Sequence, residues 1–151
     1  MNSSRLLLVL LCSLFVFPLF SQIDLKLQLM PDGTKWGVYA DPDPTITPSG
    51  NTITGSGQIT LVAPLNFTMI DLTPVSGNWS NNATIHGPIE NPTKTYLSVG
   101  LIGDIPQIIY SASGPTLLFT FKKPSSGCPD DLHLIDNEND AFAHIPNSVP
   151  E

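Results

Sequence analysis

The sequence predicts an all-β protein built as an antiparallel β-sandwich, and three observations carry that prediction. Residues 23–29, IDLKLQL, alternate apolar and polar without error, the period of a strand with one face in a core. Residues 114–123, GPTLLFTFKK, are the most strand-like run outside the extreme N-terminus and have turn residues on both sides. Fifteen prolines are scattered through the chain, and no stretch between them shows a convincing helical pattern.

Residues 1–21 read as an export signal. Arg5 gives the positive start, 6–11 and 14–20 the apolar core, and Ser21 a small residue at a cleavage point. A membrane anchor would need a longer uninterrupted apolar run and a charged stop, and Pro18 and Ser13 speak against it. Cys12 follows Leu11, whereas a lipoprotein signal places a small residue before the lipidated cysteine. The expected location is therefore secreted or at the cell surface. With the signal removed, five lysines face thirteen acids, a net charge of −8. That balance disfavours nucleic acid and anionic membrane surfaces as partners. Cys128 alone remains in this part and has no second cysteine for an intrachain disulfide, so the domain must be held by its core.

The elements follow in order. Residues 23–29 are the first strand; Pro31-Asp32-Gly33-Thr34 is a turn with Gly at the position that accepts positive φ; 35–40, KWGVYA, return with Trp36, Val38 and Ala40 on one face. Residues 41–54 carry three prolines and no period, a loop long enough to cross between sheets or to cover an edge. Residues 55–64 are a third strand and 66–72 a fourth, apolar on both faces. Residues 76–92 are rich in Gly, Asn and Pro and read as turns. Strands are then expected at 96–102 and 107–110, at 114–123 with Leu117, Phe119 and Phe121 on one face, and at 132–135. One sandwich spans 22–147, and 148–151 is a tail or truncated linker.

Three kinds of chemistry are open to these residues. Asp136, Glu138 and Asp140 place hard oxygen ligands at alternate positions, the arrangement calcium favours; the EF-hand pattern, however, needs Gly sixth and Glu twelfth, where Ala141 and Asn147 stand. A solvated acidic loop is the competing reading. For hydrolysis, His86, His133 and His144 fall in no catalytic motif, and the chain is expected not to be an enzyme. For ligand binding, Trp36, Tyr39, Trp79, Tyr96 and Tyr110 supply ring faces that would stack on sugar. Core packing competes for the tryptophans, since Trp36 shares a face with Val38 and Trp79 lies beside a turn. Tyr39, on the opposite face of its strand, is the more exposed candidate. Asn66-Phe67-Thr68, Asn78-Trp79-Ser80 and Asn82-Ala83-Thr84 match the N-glycosylation acceptor pattern, which carries no meaning in a bacterial source.

The order of features resembles the cohesin-like carbohydrate-binding superfamily: an alternating first strand, GQITLVAP with FTMIDLTPVSGNW, YLSVGLIGD, and GPTLLFTFKK ahead of an acid-rich tail. It is most similar to N-terminal modules of large secreted bacterial surface proteins. The resemblance implies a jelly-roll sandwich that binds polysaccharide or a surface protein; the one cofactor expected, if any, is the calcium of the acidic loop. It also implies a second cysteine near 41–43, which this chain lacks. The alternatives are a structural spacer between other domains and, last, a polysaccharide-acting enzyme.

Overall fold

The first hairpin forms as its alternation dictates. In the computed structural model, which describes residues 23–43, 54–111, 113–122 and 131–144, β1 (Ile23–Leu29) pairs antiparallel with β2 (Lys35–Pro42). The turn between them uses Gly33 at φ 68°, and the Asp32 carboxylate accepts from the Thr34 amide at 2.9 Å. The expected signal at 1–21, Cys128 and the tail at 148–151 lie outside the described residues, as does most of the loop expected at 41–54.

The remaining strands are β3 (Gln58–Pro64), β4 (Thr73–Pro74), β5 (Asn78–His86), β6 (Lys94–Gly103), β7 (Thr116–Lys122) and β8 (His133–Leu134). They build two four-stranded antiparallel sheets, ordered β1-β2-β7-β4 and β5-β6-β3-β8, and the fold is all-β. The chain passes from the first sheet to the second between β2 and β3, as the length of that connection anticipates. The sheets face one another with β1 near β8 and β4 near β5. Between them lies one apolar core, with Val38, Ala40, Phe119 and Phe121 from one sheet against Ile59, Leu61, Leu97 and Val99 from the other.

Four expectations are corrected. Residues 66–72 do not form a strand: Asn66 and Asp71 have φ of 65° and 54°, which breaks the extended run. The segment instead drops Phe67 into the core and packs Met69 and Leu72 against it. Residues 78–86, expected to be turns, form the nine-residue strand β5, because the Asn and Thr side chains suit an edge strand in solvent. Residues 107–110 are irregular, with Ile108 alone of the four buried. Within β7 the face assignment shifts: a bulge opposite Val38 and Tyr39 pairs Phe119 with Val38 but Leu117 with Tyr39, so Leu118 joins Phe119 and Phe121 in the core.

A second, smaller core lies on the far side of the β3–β6 sheet. After β8 the chain turns at Asp136 and folds back, and a short 3-10 turn at Ala141–Ala143 sets Phe142 with Ile135 over Val62 and Tyr96. Lys94 and Asp131 form an ion pair beside it.

Candidate functional site

The sites expected from the sequence do not gather in one place. Trp79 is 5% exposed, its ring 5.4 Å from Phe119, and its indole N–H donates to the Ser76 carbonyl at 2.7 Å. Tyr96 is 2% exposed and stacks on Phe142 with ring centres 4.4 Å apart. Its hydroxyl is pushed up to about 12, chiefly by burial and further by Asp140. Both residues are core. Trp36 is half-buried on the inner face between Leu29 and Phe121. Tyr39 points outward but folds over Gly37, where it meets Leu117 and Met30, and its hydroxyl reaches the Met30 sulfur at 3.2 Å. None of these four offers a free ring face in a row with another.

The acidic loop is engaged in holding its own turn. The Asp136 carboxylate accepts from the Glu138 and Asn139 amides at 2.9 and 3.1 Å and from the Asn139 side chain at 2.7 Å. Those bonds, the Asn139 side chain first, hold Asp136 below the usual carboxylate range. Asp140 caps the 3-10 turn through the Phe142 amide at 2.8 Å and accepts from Tyr96. Glu138 is exposed, and its carbonyl lies 3.1 Å from the His144 ring nitrogen. Among the described residues no three His, Cys, Asp or Glu side chains stand close enough to share a metal ion. Hydrogen bonds inside the fold engage the Asp136 and Asp140 carboxylates, while Glu138 is exposed.

Tyr110 is the candidate that reaches a cavity. A cleft of about 190 Å³ opens at the end of the sandwich where β1 and β3 begin and β2 finishes. Ile23, Leu25, Ala40, Leu118 and Trp79 give it apolar walls; Thr54, Ser56 and Gln58 line it with polar groups beside Tyr110. The alternation that turns Leu25 and Ala40 inward also brings them to the wall of this cleft. The Tyr110 hydroxyl lies 3.0 Å from that of Thr54.

The loop beside the cleft is the feature that the sequence reading missed. Asp104 ties it down, accepting from the Thr54 amide at 3.0 Å and the Ile108 amide at 2.6 Å. Gly77 donates to the Pro106 carbonyl at 2.6 Å from the other side. With Ile108 as its buried anchor, the stretch leaves Ile102, Ile105 and Ile109 at 65, 83 and 63% exposure. Isolated exposed aliphatics are ordinary, but here three stand within eight residues, Ile102 near the end of β6 and Ile105 and Ile109 in the loop after it. A sequence signal existed: Ile105 follows Asp104 after a Gly, in a turn, where β-branched apolar residues have no local reason to be.

The three histidines stand apart, His86 at 2.9 Å from the Thr95 hydroxyl, His133 beside Asp131, and His144 on the acidic loop. No protein-family model matches the chain, and no curated protein or solved structure matches it.

Proposed function

We propose that the chain is an exported, non-catalytic binding module whose partner is a protein, engaged through the isoleucine loop at 102–110 and the cleft beside it. One observation carries the choice of partner: Ile102, Ile105 and Ile109 are exposed in the stretch of chain that leads to Tyr110 at the cleft, while the tryptophans are withdrawn into or against the core. An apolar knob next to an apolar slot of about 190 Å³ suits docking of a partner's apolar side chain, a volume below that of common small-molecule sites. The cohesin-like resemblance points to the same class of function. A second reading, carbohydrate, is favoured by Tyr110 and the hydroxyls of Thr54 and Ser56 at the cleft. A spacer role is the remaining alternative.

Residues 22–151 and an Ile105→Ser/Ile109→Ser variant, run in parallel against surface-protein fractions and a polysaccharide array, decide among these. A protein retained by the parent chain and at least about tenfold more weakly by the variant supports the proposal, the two folds melting alike. Glycan binding lost on Tyr110→Phe moves the function to the cleft's polar groups. Binding to neither class overturns the proposal in favour of the spacer.

A further inference from the structure

Among the described residues, β5 is the outer strand of its sheet and has only β6 beside it. Every residue of it except Trp79 is exposed. The strand at the matching edge of the facing sheet, β4, is two residues long, so Asn81 and Thr84 remain in solvent with the rest. An edge of this length offers a row of backbone donors and acceptors to any other strand, and proteins blunt such edges with charges, proline or a cover. NWSNNATIH contains no Lys, Arg, Asp, Glu or Pro. Two register shifts, at Asn78/Trp79 and Asn81/Ala83, distort it without covering it.

What the strand does carry is two acceptor tripeptides, Asn78-Trp79-Ser80 and Asn82-Ala83-Thr84. A third, Asn66-Phe67-Thr68, lies on the connection from β3 to β4, which delivers the short strand near β5. In all three the asparagine and the hydroxyl residue are exposed, while the middle residues Phe67 and Trp79 turn into the core. Trp79 separates its acceptor from its hydroxyl because alternate residues of a strand face opposite ways. Glycosylation acts on the entering chain, so the fold has only to leave room for the sugar afterwards. Asn82 has such room, lying against Gly100, which has no side chain of its own.

We propose that Asn66, Asn78 and Asn82 are N-glycosylated and that the glycans guard the open β5 edge. In each case the side-chain amide nitrogen bonds to the anomeric carbon of an oligosaccharide carried on a lipid pyrophosphate, which departs as the leaving group while the amide loses one proton. The proposal rests on the export reading and replaces the bacterial affiliation that the resemblance implied.

The test uses protein secreted by the organism that encodes it, treated with peptide N-glycosidase in heavy-oxygen water and digested. Conversion to isotope-labelled aspartate at positions 66, 78 and 82 is the expected result. Thr68→Ala, Ser80→Ala and Thr84→Ala, which keep each asparagine, remove one glycan each. In sedimentation, the secreted Thr68→Ala/Ser80→Ala/Thr84→Ala chain, which lacks the glycans and gains no charge, self-associates and the native one does not. A secreted chain with all three asparagines unmodified overturns glycosylation and leaves export standing. A chain held inside the cell with residues 1–21 attached overturns export and this proposal together. A triple alanine variant that stays monomeric overturns the guarding role.

Discussion

The Tyr96 hydroxyl donates to the Asp140 carboxylate, 2.9 Å from each oxygen, and so fastens the closing 3-10 turn to the first part of β6. The Asn91 side-chain amide donates to the same hydroxyl at 3.1 Å. Tyr96→Phe removes the donor and acceptor together and leaves the ring stacked on Phe142. The expected cost is about 1 to 2 kcal/mol, read as a lower urea midpoint at unchanged slope.

The same hydroxyl makes stability fall in alkali. Its folded pKa is raised from the ordinary 10.0 to about 12, so between those values the folded state holds a proton the unfolded state has released. The contribution is complete below pH 10 and is lost as pH rises towards 12. Melting temperature followed across that window drops more steeply for the parent protein than for Tyr96→Phe; parallel curves would refute the assignment.

Gly77 and Gly33 separate two costs. Both have positive φ, 74° and 68°. A Cβ at Gly33 meets nothing within 4 Å, whereas at Gly77 it would lie 2.8 Å from the Leu101 Cδ1 and 2.9 Å from the Ile108 Cδ1. Gly33→Ala is expected to cost about 1 kcal/mol for the backbone alone. Gly77→Ala costs at least about 2 kcal/mol because strain and overpacking add. Equal losses in denaturant titrations would contradict this.

The bulge in β7 is tested by neighbours. Leu118 is 2% exposed in the core, whereas Leu117 is half-buried against Tyr39. Leu118→Ala is expected to destabilise by about 2 to 5 kcal/mol and Leu117→Ala by markedly less. The reverse order is what unbroken alternation through Phe119 and Phe121 would give.

Alternation alone made the first hairpin, β3, β6 and β7 legible, since each has one face in the main core and the pattern is written in side-chain polarity. It failed at β5, where an edge strand without a facing partner has no apolar face to write, and Asn81 and Thr84 look like turn residues. It failed in the opposite sense at 66–72, where apolar spacing mimics a strand but two residues in the left-handed region redirect the chain. The bulge at Leu118 is invisible because a strand's own sequence does not say how its neighbour is registered. Of the candidate residues, Tyr110 alone lines the cleft as an exposed or half-buried ring. Burial separates it from Trp79 and Tyr96, and burial depends on what the distant C-terminal segment and β7 place over a ring.

β2 finds its second neighbour, β7, only after four other strands have been laid down. During synthesis the hairpin of β1 and β2 therefore emerges first and waits, with Trp36, Val38 and Ala40 uncovered, until Phe119 and Phe121 arrive. Non-local pairing of this kind is slow to close and leaves sticky intermediates. A chain halted before Thr116 would hold a hairpin with half of its sheet missing, and this stage is where a chaperone has most to protect.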